Sequence, residues 1–243
     1  MPSEKAIAVI VAAGRGSRMG GEQPKQYRKL LGECILTHTL RNLLNSNLFS
    51  ALMTVIHPDD RKLYNDAIAP LEQDSLLQSC HGGNSRQASV RNGLRSLQNN
   101  SSVTSGRVPV LIHDAARPFV SHETLAQLIT EAEKDNCVIA AAPVFDTIKR
   151  TNERGEIQET LNREELWRAQ TPQAFALDTI LNAHEQLQDR DNLTDDAAVA
   201  EAAGLSVGIV PSSGNNIKIT TPEDLALAEY ILQRQQTSQE KKS

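Results

Sequence analysis

The stretch Ala6-Ile7-Ala8-Val9-Ile10-Val11-Ala12-Ala13-Gly14-Arg15-Gly16-Ser17-Arg18-Met19-Gly20-Gly21, running on to Pro24-Lys25-Gln26, decides the fold of this chain. Ala6 to Val11 is an unbroken apolar run, the pattern of a strand buried on both faces of a parallel sheet. The run opens into a glycine-rich loop, and a strand that ends in such a loop usually meets phosphate. Arg15, Arg18 and Lys25 add fixed positive charge to it. That charge suits a triphosphate held while a bond to phosphorus breaks. The spacing departs from two familiar phosphate loops. The dinucleotide fingerprint G-x-G-x-x-G is weakened because its third glycine comes one residue late, at Gly20. Glu33, near the spacing of the ribose-binding acid, sits in a turn with Gly32 and not at a strand end. The pattern G-x-x-x-x-G-K-[ST] fails, since Glu22-Gln23 come after Gly21. On the glycines alone, a plain turn using them for positive φ is the competing explanation.

Beyond this stretch, apolar strand-like runs alternate with amphipathic helical ones. Strands are expected at 6–11, 51–56, 76–80, 108–113, 138–144, 206–210 and 216–219. Helices are expected at 35–44, 59–69, 85–97, 122–135, 179–187, 194–203 and 222–235. Ser121 and Thr194 read as N-caps, Gly204 as a stop, and Thr221-Pro222-Glu223-Asp224 as a helix start. The alternation predicts an α/β fold with a doubly wound, mostly parallel sheet, whose ligands bind outside the carboxyl ends of the strands. Thr147 to Leu161 breaks the rule: it is polar, alternating and turned at Asn152–Gly155, which predicts a β-hairpin. An isolated hairpin is marginal in water, so a projecting arm suggests a partner surface such as a second copy of the chain. A hairpin folded back on its own domain is the alternative. Asn99–Gly106 is a polar loop, and 237–243 a polar tail expected to fray.

Bulk properties narrow the class. The chain has 243 residues, 39% of them hydrophobic, and 25 basic against 30 acidic residues give a net charge of −5. A mildly acidic chain is not an obvious nucleic-acid binder, so any anion site must be local. No apolar run is long enough to span a membrane, and charged Glu4 and Lys5 lead straight into the first strand, unlike a signal peptide. Cys34, Cys80 and Cys137 are far apart and read as free thiols of a reducing cytosol.

Four further segments fall at or near predicted strand ends. Gly82-Gly83-Asn84-Ser85-Arg86-Gln87-Ala88-Ser89 lets backbone approach a flat ligand, with Arg86 and Ser89 one turn apart on the next helix. In His113-Asp114-Ala115-Ala116-Arg117-Pro118, Asp114 ends a buried strand, where a carboxylate is costly unless paired or bound to metal. It suits Mg²⁺ against phosphate oxygens; an internal salt bridge with Arg117 is the alternative. His113 reads as a core or supporting histidine. Asp146-Thr147-Ile148-Lys149 and Arg163 lie on and just after the hairpin, and Lys218 interrupts Asn216-Ile217-Lys218-Ile219-Thr220. A solvated edge lysine is the bland account of Lys218. No catalytic triad or zinc spacing is visible. The convergence of cations, one carboxylate and two glycine loops points to phosphoryl or nucleotidyl transfer, which needs positioning and charge neutralisation.

These segments resemble one family closely. Ala-Ala-Gly-x-Gly-x-Arg-Met at 12–19 with Pro-Lys-Gln-Tyr at 24–27, His-Asp-Ala-Ala-Arg-Pro at 113–118, Asp-Thr-Ile-Lys at 146–149, Thr-Pro-Gln at 171–173 and Asn-Ile-Lys-Ile-Thr at 216–220 are similar to those of 2-C-methyl-D-erythritol 4-phosphate cytidylyltransferases. The resemblance covers nearly the whole chain. It implies a Rossmann-like nucleotidyltransferase fold in a single domain at 1–236, with 146–165 as a dimerisation arm. It implies transfer of CMP from CTP to methylerythritol phosphate, with Mg²⁺ or another divalent cation as cofactor. Ala12, Ala13, Gly14, Gly83, Asn84 and Ser89 would then hold cytosine and ribose, and Asp114 would sit beside the metal and CTP. Arg18, Lys25 and Lys218 would act on the triphosphate and its α-phosphorus. Arg163 and Lys218 would orient the acceptor, and Arg117, Thr147 and Lys149 would bind its phosphate, from a neighbouring subunit in a cytoplasmic homodimer. Two positions depart from the family pattern: Val11 stands where proline is frequent, and Asn84 where an acid is common. The valine also occurs in chains fused to a cyclodiphosphate synthase, so a fusion or association of that kind is a further expectation. A cytidylyltransferase for ribitol phosphate or another sugar phosphate shares many of these motifs and is the main rival. A nicotinamide-dependent dehydrogenase and a non-catalytic nucleotide-binding module are more distant ones.

Overall fold

The computed structural model describes residues 5–15, 23–71, 74–99, 107–190 and 192–240. Strand β1 (Ala6–Ala12) leads through a 3-10 turn at Lys25–Tyr27 and the short pair β2 (Lys29–Leu30) and β3 (Glu33–Cys34) into helix α1 (Ile35–Asn45). Then come β4 (Phe49–Ile56), α2 (Arg61–Ile68), β5 (Leu77–His81) and α3 (Arg86–Gln98). The second half runs β6 (Pro109–Asp114), α4 (His122–Ala132), β7 (Cys137–Pro143), β8 (Lys149–Thr151), β9 (Ile157–Thr160) and β10 (Trp167–Ala176). It ends with α5 (Leu177–Gln186), α6 (Asp196–Ala202), β11 (Val207–Pro211) and α7 (Pro222–Glu240).

Seven strands form one sheet in the order β11-β7-β10-β6-β1-β4-β5. Neighbouring strands pair in parallel throughout, except that β10 lies antiparallel between β6 and β7. This is the predicted doubly wound, mostly parallel architecture, and it puts the ends of β1, β4, β5 and β6 at one edge. The apolar run at 6–11 is explained by its place. Ala6, Ala8 and Ile10 pack with Leu36, Leu40 and Leu43 of α1 on one face, while Ile7 and Val9 pack with Val90, Leu94 and Leu97 of α3 on the other. A third apolar cluster joins Leu30, Ile35, Ala116, Phe119, Ile219, Ala228 and Ile231. It seats the segment before α7 against the loop after β6.

Several boundaries differ from expectation. Residues 216–219 form no strand: Ile219 N–H bonds Ala116 O, Asn216 N–H bonds Ser213 O, and side chains add to the anchoring. Strand β10 was not legible because Gln170, Thr171, Pro172 and Gln173 look like a loop, and its ladder to β7 shifts register between Ala169 and Gln173. The cap of α6 is Asp195, not Thr194; its carboxylate accepts from Ala198 N–H at 2.9 Å. The polar tail continues α7 to Glu240, with 241–243 outside the described residues. Most of the 99–106 loop also lies outside them. The arm is present as β8 paired antiparallel to β9, in a sheet of its own with every residue of both strands exposed. Among the described residues, no helix is long and apolar enough to cross a membrane.

One contact tests the packing of α3 on the sheet. A Cβ on Gly93 would stand 2.7 Å from Val55 Cγ2 and 2.8 Å from Val9 Cγ1. Valine is stiff at χ1, so neither methyl can swing aside. Helix propensity favours alanine by about 1 kcal/mol, but overpacking costs about 1–3 kcal/mol. Gly93→Ala is therefore expected to lower stability by up to about 2 kcal/mol in urea unfolding, where propensity alone would raise it.

Candidate active site

A cavity of about 530 Å³ opens at the carboxyl edge of the sheet. Of the predicted site residues, Ala13, Gly14, Lys25, Gly83, Asn84, Ser89, Asp114 and Lys218 line it, together with Arg15 and Arg86. Ala12 is buried behind this wall. Arg18 lies outside the described residues.

Ala13 and Gly14 at the exit of β1 and Gly83 and Asn84 of the second glycine loop line the cavity, and each segment is held by a side chain. Gln26 donates to Ala12 O and Gly14 O at 2.5 and 3.1 Å, pinning the exit of β1. Ser89 Oγ accepts from Gly83 N–H at 3.1 Å and donates to Ser85 O at 2.8 Å, closing the second loop onto the start of α3. Ser85 caps that helix, its side chain accepting from Ala88 N–H. The loops touch only because Gly82 has no side chain: a Cβ there would stand 2.5 Å from Ala13 Cβ and 2.8 Å from Ser89 Oγ. Arg15 bridges to Asp59 and Asp60, both at 3.0 Å, so it ties the first loop to the turn after β4 while facing the cavity.

Asp114 ends β6 and gathers charge from three other segments. Lys218 Nζ is 2.8 Å from its Oδ2, Arg117 Nε is 3.6 Å from the same oxygen, and Arg86 Nε is 3.9 Å from Oδ1. Burial alone would push this carboxyl's pKa up. Lys218, then Arg86 and Arg117, outweigh that and hold it well below the usual carboxylate range. The Asp114–Arg117 salt bridge weighed from sequence is thus present, but as one spoke of a larger cluster.

The spokes are aimed by supporting residues, of which the sequence marked His113 as a core or supporting histidine but gave no such role to Thr171 or Asn216. Asp114 N–H donates to Thr171 Oγ1 at 3.0 Å, and Thr171 lies 3.0 Å from His113 Nδ1. His113 Nε2 lies 2.9 Å from Arg117 O and must donate to that carbonyl, leaving Nδ1 to accept from the threonine. Burial is the main cause that pushes the pKa of His113 down to about 4, so the ring is neutral. Asn216, fully buried, donates to Gln170 Oε1 and Thr171 O, and its own carbonyl accepts from Arg117. Lys218 reaches Asp114 because Asn216 and Ile219 are fixed on either side of it. The only signal for these roles was polar residues set within or beside apolar runs.

Thr147, Lys149 and Arg163 do not join this cluster. Lys149 donates to Thr160 across the arm and Arg163 to Phe145 O at its base, and none of the three lines the cavity.

Neutral, buried His113 gives a pH test. Its folded pKa lies below the ordinary value near 6.5, so below pH 6.5 the unfolded chain takes up a proton that the folded chain refuses. Its contribution is therefore constant above pH 6.5 and is lost as pH falls towards 4, by about 2–4 kcal/mol at about 1.4 kcal/mol per pKa unit. Urea unfolding of the parent and of His113→Gln between pH 7.5 and 4.5 checks this, with a shallower decline expected in the variant.

The match with known proteins is extensive. Residues 6–234 match the family described as 2-C-methyl-D-erythritol 4-phosphate cytidylyltransferase. A "Bifunctional enzyme IspD/IspF" of Paramagnetospirillum magneticum is 45% identical over 227 residues, which cover 93% of this chain and 56% of that protein. The chain thus spans about half the length of the bifunctional relatives it matches. A "2-C-methyl-D-erythritol 4-phosphate cytidylyltransferase" of Syntrophus aciditrophicus is 39% identical, over 96% of this chain and 97% of the relative. The crystal structure titled 4-diphosphocytidyl-2C-methyl-D-erythritol synthase from Anaerococcus prevotii superposes with a TM-score of 0.79 at 29% identity, covering 94% of this chain and 96% of the other. With its sheet order, its two touching glycine loops and its Asp114 cluster in place, the chain belongs to the 2-C-methyl-D-erythritol 4-phosphate cytidylyltransferase family.

Proposed function

We propose that this chain transfers CMP from CTP to 2-C-methyl-D-erythritol 4-phosphate, releasing pyrophosphate and forming 4-diphosphocytidyl-2-C-methyl-D-erythritol. The observation that carries this reading is the cluster of Lys218, Arg117 and Arg86 on Asp114, open to a cavity between two glycine loops. Family membership supplies the substrates. Gly83, Asn84 and Ser89 with the backbone of Ala12, Ala13 and Gly14 take cytosine and ribose. Lys25, Lys218 and, by resemblance, Arg18 face the triphosphate.

The reaction then needs no protein nucleophile. An oxygen of the acceptor's phosphate, already anionic, attacks the α-phosphorus in line; the bond to the β-phosphate's bridging oxygen breaks and its electrons leave with pyrophosphate. Lys25 and Lys218 stabilise the charge that builds on the equatorial oxygens. His113 takes no part as a base, because it is fully buried and both ring nitrogens are committed, to Arg117 O and to Thr171.

The donor set suits one magnesium ion of a particular kind. Among the described residues no group of three or more His, Cys, Asp or Glu side chains could hold a metal unaided. Asp114 is a single carboxylate whose Oδ1 is less crowded than Oδ2. Mg²⁺ is commonly held by one carboxylate with substrate phosphate oxygens completing its shell. When bound, the ion would neutralise triphosphate charge beside Lys25 and Lys218.

The acceptor end is proposed to be completed by a second copy of the chain. Arg117 and Arg163 with Thr147 and Lys149 are the acceptor-binding set, yet the arm residues do not reach this chain's own cavity. The arm exposes Ile157 and, at its base, Phe145, and has no core of its own. An exposed apolar pair on an unsupported hairpin favours an arm that clasps a partner. The free thiols at Cys34, Cys80 and Cys137 fit a reducing, cytoplasmic setting. Association with a cyclodiphosphate synthase is proposed from the names of the bifunctional relatives.

An acceptor panel with CTP and Mg²⁺ tests the assignment. Pyrophosphate release is expected with methylerythritol phosphate; release with ribitol 5-phosphate alone would transfer the chain to the sister activity. Lys25→Ala and Lys218→Ala are each expected to keep the fold and lose about 10²-fold or more in turnover, the scale seen when one transition-state donor is removed. Near-parental rates in both would remove their assigned roles.

A further inference from the structure

A line of charges runs from the cavity into the core, and its inner members have no part in the transfer chemistry. Arg86 faces the cavity from the first turn of α3. Its Nη2 donates to Asp196 Oδ2 at 2.7 Å, and Asp196 Oδ1 lies 3.1 Å from His184 Nε2. Asp196 and His184 are fully buried, on α6 and α5. Burial would raise the pKa of Asp196, but Arg86 and then His184 lower it, so it is a carboxylate. An ionised carboxylate only accepts, so Nε2 of His184 carries the proton it donates. His184 Nδ1 is buried with no hydrogen-bond partner.

Stability does not account for this arrangement. A buried ion pair is often replaceable by apolar side chains at no loss. The first turn of α3 is also a poor place for a cation, because the helix dipole is positive there. That turn contains no acidic residue of its own, and Asp196 arrives from a segment 110 residues away. The guanidinium has five donors in a rigid fork. Nη2 serves Asp196, and Nε lies 3.9 Å from Asp114.

We infer that Asp196 and His184 are positioning residues for the nucleotide, acting through Arg86. His184 fixes one carboxylate oxygen of Asp196, and the other fixes the guanidinium. Arg86 is then held between the cytosine-side residues Asn84 and Ser89 and the Asp114 end of the cavity, where ribose meets the α-phosphate. The inference rests on the CTP reading.

The test is CTP affinity by calorimetry without acceptor, alongside kcat and KM, for the parent chain, Asp196→Asn, His184→Leu and His184→Gln. Asp196→Asn and His184→Leu are expected to weaken CTP by about tenfold, although His184 touches no part of the cavity, while the acceptor KM stays within about twofold. Glutamine's amide can donate to Asp196 as Nε2 does, so His184→Gln should restore parental affinity. A merely structural role would lower the melting temperature with CTP affinity unchanged in the folded fraction, and that result overturns the inference. Should the buried variants fail to fold, Arg86→Lys decides. It keeps the charge but cannot serve Asp196 and the cavity together, so unchanged CTP affinity there also overturns it. A parent chain that binds no CTP contradicts the function itself; a parent that binds, with variants that bind equally well, contradicts only the relay.

Discussion

Asp114 carries a negative charge at the end of a buried central strand, where an unpaired carboxylate would cost far more than one hydrogen bond returns. Three cations offset that cost, and they come from separate places: the start of α3, the loop after β6 and the segment before α7. Without Asp114 those cations would repel one another. With it they stand close together, and Arg86 and Lys218 line the cavity that Lys25 also lines. A scaffold that organises cations before the substrate arrives avoids reorganising them at the transition state.

The rest of the fold keeps that cluster in register. Strand β10 runs against its neighbours, and its irregular stretch around Thr171 faces both the backbone of Asp114 and the ring of His113. Asn216 fastens the Lys218 segment to the same stretch, and Ile219 adds an apolar anchor beneath α7. Arg117 is tied at both ends, to Asp114 and to Asn216 O. The site is therefore built on side-chain bonds between irregular segments, with the parallel strands supplying only the edge from which they hang.

Much of this was legible in the sequence. The apolar run at 6–11, the helix starts at Ser85 and Ser121 and the hairpin at 147–161 announce themselves through local chemistry, and the structure bears them out, while residues 16–22 of the first glycine loop lie outside the described residues. What escaped depends on contacts between distant residues. Residues 167–176 look like a loop until two neighbouring strands pair with them. Residues 216–219 look like a strand because Ile217 and Ile219 alternate with polar residues, yet those isoleucines pack beneath α7 while Lys218 turns to Asp114. Asp195 and Asp196 both read as helix-start acids. Only the tertiary structure separates the cap from the buried partner of Arg86.

In the proposed transfer the acceptor's phosphate displaces pyrophosphate directly at the α-phosphorus of CTP, with the protein supplying charge and alignment and no covalent intermediate. The stereochemical course at phosphorus tests this most directly. With CTP carrying sulfur at a single α-phosphorus diastereomer, one in-line displacement predicts a product of inverted configuration. Retention would mean two displacements through a nucleotidylated protein side chain, and would rule out direct transfer.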